Sequence, residues 1–289
     1  MSCSELDLKV YPKTVYTDLV GLPDPVLLGL TIHYYNHSDQ TLYMKIFISG
    51  PSPWSPNAVQ LGSLGSGSSA YVNLDNFTSR TKPSQETTEE LTLTLRGYND
   101  SGYSELKYEF SRSLTVVFIK SDDGSWTTNI NNNFDDGTVQ GWTWFNNTGG
   151  GTPTFSVATD YVLSPPYSLK WLSVDSYWGG SWGFRKLITT PNKDNIFAVI
   201  NVRLGSAVGD IMFGRLRIIQ DSSILIHLGI NENVAGITQD YVPEGKWLRI
   251  VVPLPKNSTF NLDIAIECYV TYGTHRYVAW LDDFKIISK

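Results

Sequence analysis

Cysteine is nearly absent. Of 289 residues only Cys3 and Cys268 are cysteines, one near each end of the chain. That excludes a disulfide-stapled scaffold, and two such separated thiols make no zinc site. Charge is also scarce, at 17% of residues, with a net charge of −6 and a pI near 5.2. No lysine- or arginine-rich run occurs, which excludes nucleic acid and anionic membranes as general partners. The longest apolar stretches, Val26 to Ile32 and Ile224 to Ile230, are far too short to span a bilayer. The first residues, M-S-C-S-E-L-D-L-K-V, contain no apolar signal core and carry charge at once. Either the chain is not exported by that route, or a signal has been removed and Cys3 is placed as a lipoprotein cysteine would be.

Catalytic motifs are missing as well. The glycine-rich stretch from Gly62 to Gly67 has neither the G-x-S-x-G spacing of a nucleophile elbow nor the G-K-[ST] ending of a phosphate loop. The four histidines, His33, His37, His227 and His275, are scattered. His33 and His37 have the spacing of a helical metal site but end a strand-like run, so they read as strand and loop histidines.

What the sequence does have is period-two alternation, with no long segment of helical period. Leu42, Met44, Ile46 and Ile48 alternate with Tyr43, Lys45 and Phe47; Leu91, Leu93 and Leu95 do so with Thr92 and Thr94; Leu106, Tyr108 and Phe110 do so with Lys107 and Glu109. Asn99-Asp100-Ser101-Gly102 is turn chemistry between two such runs and predicts a hairpin. Phe260, Leu262, Ile264, Ile266, Cys268 and Val270 share a parity, which makes Cys268 a small buried hydrophobe. The run G-S-L-G-S-G-S-S (62–69) reads as a loop. Tryptophan marks a change along the chain: of nine, only Trp54 precedes residue 120. The polar stretch that follows residue 120 has no periodicity. The expectation is an all-β protein of two β-sandwich domains: an immunoglobulin-like one over 1–122, a linker over 123–130, and a jelly roll over 131–289.

Paired carboxylates are the remaining catalytic candidates, because a glycosidase needs two facing each other across a cleft. Asp135-Asp136, Asp282-Asp283, Glu244 and Glu267 are available, but adjacent aspartates in a strand point to opposite faces. Asp282 shares the parity of Val278, Trp280, Phe284 and Ile286. If that is the core face, its carboxylate needs an arginine such as Arg185 or Arg203, backbone N–H groups or a cation.

Four motifs in order carry a resemblance. They are N-F-D-D-G-T-V-Q-G-W (133–142), S-P-P-Y-S-L-K-W (164–171), G-K-W-L-R-I-V-V-P-L (245–254) and W-L-D-D-F-K-I (280–286). Together they resemble jelly-roll carbohydrate-binding modules with a galactose-binding-like β-sandwich, the first motif as the opening strand and the last as the closing one. The resemblance implies a structural Ca2+ that joins those strands, held by Asp135, Asp282 and carbonyls near Tyr167 and Ser168; oxygen-only ligation suits that ion. Residues 91–103 resemble the penultimate strand and turn of immunoglobulin or fibronectin type III domains, at the level of pattern alone.

A sugar binder needs aromatic faces for stacking on pyranose rings. The run S-Y-W-G-G-S-W-G-F (176–184) offers Tyr177, Trp178 and Trp182, with Tyr272 and His275 as neighbours in a second loop. If Gly179 and Gly180 form a turn, Trp182 shares a face with Phe184 and packs, which leaves Trp178 as the first contact to test. Sequons begin at Asn36, Asn76, Asn99, Asn146 and Asn257, and they permit a glycoprotein. The leading reading is a non-catalytic, surface-exposed glycan-binding or adhesion protein with the first domain as spacer or docking module. The second is a structural protein of a virion or envelope (spike, turret or fibre), in which both sandwiches join other subunits or like copies. A third, a polysaccharide hydrolase fragment, lacks a recognisable dyad. All three place the chain outside the cell, at its surface or on a virion.

Overall fold

The computed structural model describes residues 5–10, 13–20, 31–73, 80–146, 152–173, 181–208, 212–229, 245–269 and 276–289. The ordered elements are all strands, with no helix among the described residues. The chain divides into two compact units, Met1–Lys120 and Ser121–Lys289.

The first unit contains β1 (Leu6–Val10), β2 (Thr14–Asp18), β3 (Thr31–Asn36), β4 (Leu42–Ser49), β5 (Ala58–Leu64), β6 (Ser69–Asn73), β7 (Thr87–Tyr98) and β8 (Leu106–Ile119). They form a three-stranded sheet, β1-β3-β6, and a five-stranded sheet, β2-β8-β7-β4-β5. The first strand is split: β1 pairs antiparallel with β3, and β2 pairs parallel with β8 in the other sheet. With the remaining pairings antiparallel, this is an immunoglobulin-like sandwich. The alternating apolar residues of β4 and β7 form its core with Leu114, Val116 and Phe118 of β8. Tyr108 and Phe110 pack against that core, while Leu106, at the start of the same face, is exposed. The hairpin at 99–105 closes through Asn99 N–H to the Glu105 carbonyl, and the Asp100 carboxylate accepts from Ser104 and Glu105 N–H. Residues 62–64, expected in a loop, belong to β5, so the turn to β6 covers only 65–68.

The second unit contains β9 (Thr127–Asn132), β10 (Thr143–Asn146), β11 (Thr154–Ala158), β12 (Ser168–Leu172), β13 (Ser181–Thr189), β14 (Ile196–Val208), β15 (Met212–Gln220), β16 (Ser223–Gly229), β17 (Trp247–Pro253), β18 (Thr259–Tyr269) and β19 (Arg276–Ser288). One sheet runs β10-β13-β18-β15-β16 and the other β11-β12-β19-β14-β17, with β9 also paired to β19. Every pairing is antiparallel, and the facing apolar rows make a single core, the expected jelly-roll sandwich. At its centre Trp171 of β12 and Trp182 of β13 stack with centroids 3.8 Å apart.

Three local expectations need correction. Residues 127–130, expected in a linker, are strand and pair with the closing strand β19. Residues 133–142 do not form the opening strand; they are the loop after it. Phe134 and Trp142 anchor that loop in the core, and the Trp142 indole donates to Asn132 Oδ1 over 3.2 Å. Finally, β19 does not keep one parity. Val199 pairs with Lys285 but Asn201 with Asp282, so β19 carries an extra residue there, and Asp283 has φ 45°. This bulge switches faces. Ala279 and Leu281 point inward before it, Phe284 and Ile286 after it, and Trp280 and Asp282 lie on the outer face.

Candidate functional site

The strand register builds a chemically uneven row on the outer face of the β10-β13-β18-β15-β16 sheet. Phe145, Gly183, Ala265, Arg217 and His227 lie opposite one another in that order across its five strands. The strand neighbours Phe184, Ile264, Ile266, Leu216 and Ile218 fill the core, so Phe145, Gly183, Ala265 and Arg217 face away from it. The low middle of the row, called the trough below, is made by Gly183 and Ala265, which are both buried, as is Phe145 beside them. Gly183 is required there. It has φ 151°, and a Cβ would stand 2.0 Å from the Ile264 carbonyl oxygen. Any side chain would collide with backbone.

The next row contains Thr143, Arg185, Asp263 and Ile219. Arg185 grips Asp263 with both arms of its fork, Nε to Oδ1 and Nη2 to Oδ2, each at 2.7 Å. Its guanidinium also lies 5.0 Å from the Phe145 ring centroid. On the other side of the trough, Ser181, Glu267 and Arg215 are in register. One face therefore brings together Phe145, the Arg185–Asp263 pair, Arg217 and Thr143 around the small residues Gly183 and Ala265. Such a surface can present donors and acceptors to a polyhydroxylated chain.

Of the residues singled out from the sequence, Tyr177, Trp178, Tyr272 and His275 lie outside the described residues. The strands they adjoin are neighbours: β13 begins at Ser181, β18 ends at Tyr269, and Ser181 pairs with Glu267. Trp182 is 2% exposed and stacked on Trp171, so it is withdrawn as an exposed contact; its shared parity with Phe184 places it in the core. The trough residues themselves were read past in the sequence. The signal was the other parity of the same strands, Asp263 and Glu267 between the core residues of β18 and Arg215 and Arg217 in β15.

Asp282 is wholly buried beneath the 161–164 segment rather than in the core. Its Oδ2 accepts Leu163 N–H at 2.8 Å and Ser164 N–H at 2.9 Å, and its Oδ1 accepts Asp283 N–H at 2.7 Å. Neither Arg185 nor Arg203 is its partner. Burial raises its pKa above the ordinary carboxylate range, although the three amides oppose that. Backbone N–H groups thus answer the need that pointed to a cation. Asp135 is exposed and bonded to Asn133 Nδ2. Among the described residues no group of three or more His, Cys, Asp or Glu is placed to hold a metal. The two carboxylates expected to hold calcium are each engaged by another partner, Asp282 by three backbone amides and Asp135 by Asn133.

Other candidates are resolved individually. Asn36, the first sequon, is fully buried. Its amide donates to the carbonyls of Gln40, Leu64 and Gly65 and accepts from Ser38, so it locks the turns of the first unit and has no room for a glycan. Asn257 is exposed. Among the described residues no helix is long and apolar enough to cross a membrane.

No protein-family model matches the chain, and no curated protein matches it. Solved structures similar to it include carbohydrate-binding modules and the K1 cleaved adhesin domain of Lys-gingipain from Porphyromonas gingivalis. One, from work on the promiscuous specificity of modules of the β-sandwich superfamily, is 13% identical over 99% of both chains with a TM-score of 0.39. The CBM22-1 xylan-binding domain of Paenibacillus barcinonensis Xyn10C is 19% identical over 56% of this chain and 96% of its own, with a TM-score of 0.35. TmCBM61, solved with β-1,4-galactotriose, is 10% identical over 54% of this chain and 94% of its own, with a TM-score of 0.36. The fold stands on the strand pairings above.

Proposed function

We propose that the second unit is a non-catalytic glycan-binding module at an extracellular surface, and that it receives a polysaccharide chain along the trough on the β10-β13-β18-β15-β16 sheet. The observation that carries this is the cross-strand row Phe145, Gly183, Ala265 and Arg217, flanked by the Arg185–Asp263 pair. A fixed ion pair presents its unused lone pairs and N–H groups at set positions, which suits hydroxyl recognition and requires no reorganisation on binding. Tyr177, Trp178, Tyr272 and His275 are the aromatic candidates for stacking in this reading. The reading assigns no proton transfer, since the Asp263 carboxylate is held by both arms of Arg185. The immunoglobulin-like unit then acts as spacer or docking module.

Affinity electrophoresis through gels of different neutral polysaccharides tests this. At least one gel should retard the wild-type chain, and Arg217→Ala and Trp178→Ala should each abolish most of the retardation. Absence of retardation by a folded wild-type chain on every polysaccharide would refute the proposal and favour the assembly reading, a subunit of a virion or envelope layer. Light scattering would then show the homo-oligomer that such a role calls for.

A further inference from the structure

The opposite sheet carries a second chemical cluster. Ser156, Lys170, Trp280, Arg203 and Trp247 lie opposite one another, in that order, across β11, β12, β19, β14 and β17. Their neighbours Trp171, Leu281, Val202 and Leu204 point into the core, so this row also faces outward. The connection between β11 and β12 lies over it. Tyr161 meets Trp280 edge-on at 4.6 Å, and the Trp280 indole donates to Asp160 Oδ1 at 3.0 Å. Gly205 leaves space for the indole, since a Cβ there would come within 3.0 Å of it. The same connection is held further along by its Leu163 and Ser164 amides, which both donate to Asp282 beneath it.

The charges in this cluster are not balanced. Lys170 pairs with Asp160; burial alone would push the Asp160 pKa up, but hydrogen bonds from Lys170 and Trp280 outweigh it and hold the carboxylate below its usual value. Arg203 has no carboxylate partner among the described residues. Its guanidinium stacks 4.1 Å from the Tyr161 ring centroid, its Nη1 donates to the neutral Gly245 carbonyl, and its buried Nε has no acceptor there. Arg185, on the other sheet, has its aspartate. A guanidinium fixed in this way is set up for an anion from outside, because its planar fork matches a carboxylate. Lys246, exposed and next to Gly245, adds positive charge. Tyr161 is 45% exposed, so an apolar ring stands beside the cation.

We propose that this outer face of the six-stranded sheet is a second ligand site, for a hexuronate residue of an acidic glycan. Arg203 takes the carboxylate and Tyr161 takes the apolar edge of the sugar ring. The site stands independently of the trough, which lies on the other sheet.

Calorimetric titration of the full chain with oligogalacturonate, a neutral galactose oligomer of equal length and a short oligoglutamate tests the proposal. Oligogalacturonate should bind, more weakly as salt rises. Arg203→Gln and Arg203→Lys should each weaken it at least tenfold, the latter because charge without the fork is not enough, and Tyr161→Ala should weaken it several-fold. Tyr161 is a surface residue of a connection, so that variant serves even if an Arg203 variant fails to fold. Equal binding of the neutral oligomer, equal binding of oligoglutamate, or no uronate binding would each overturn the proposal. Neutral binding would still leave the trough reading standing.

Discussion

Replacing Asp282 is the sharpest perturbation of the second unit. Three N–H groups converge on its carboxylate, and Asp282→Ala leaves all three without an acceptor. Hydrogen bonds to a charged group contribute roughly 1.5–3 kcal/mol each, and partly buried orphaned donors recover some of that from water. About 1.5 kcal/mol each is a reasonable figure, giving roughly 4–5 kcal/mol. Against this, burial has raised the Asp282 pKa, so the variant also removes a disfavoured charge and the net loss falls below that sum, to about 3 kcal/mol. For a unit of this size that lowers Tm by roughly 6–12 °C. Asp282→Asn keeps one acceptor oxygen and should lose about half as much. Tryptophan fluorescence is the assay, because eight of the nine tryptophans lie in this unit and Trp54 alone in the other. An alanine variant melting within about 2 °C of wild type would refute the reasoning, since the amides would then be satisfied without the carboxylate.

Other outcomes follow from the same geometry. Adding EDTA should leave the fluorescence melting curve unchanged, because amides rather than calcium hold Asp282; a clear fall in Tm would restore the metal. Trp182→Ala should destabilise the second unit by about 3–5 kcal/mol in urea unfolding, as loss of a core aromatic does, and a neutral effect would contradict its stacking on Trp171. In the first unit His33 stands between Tyr35 and Tyr71, shares a 2.6 Å hydrogen bond between its Nδ1 and the Tyr35 hydroxyl, and has its pKa lowered to about 4 by burial and by Lys9, with Asp7 opposing. The unfolded chain therefore binds a proton that the folded chain does not between about pH 6.5 and 4. His33 contributes stability that is complete above the upper value and lost as pH falls toward the lower one. Because the ring is only half buried, the amount is on the order of 1 kcal/mol after screening. An NMR titration of its ring protons should give a midpoint near 4, and one at 6 or above would contradict the packing.

The fold was legible because alternation survives in most strands. Leu42 to Ile48 and Phe260 to Ile266 face the core as their parity requires. It failed where one residue changes parity: nothing in W-L-D-D-F announces the bulge at Asp283, so Asp282 was read toward the core when it lies outside. The opening motif misled for a related reason. Phe134 and Trp142 are buried like strand residues, but a loop delivers them. The two site surfaces were out of reach because they depend on register between strands distant in sequence. Gly183 and Ala265 are ordinary small residues until β13 and β18 are laid side by side, and Arg203 meets Tyr161 only because β12, β19 and β14 are neighbours.

The central claim is tested most directly by mapping a bound polysaccharide fragment on the isotopically labelled chain through its amide shifts. After affinity electrophoresis has named a neutral ligand, its oligosaccharide should shift Gly183, Ala265, Arg217 and Asp263 together and leave the β14 and β19 amides unmoved. Shifts confined to the six-stranded sheet, or to the first unit, would contradict the account.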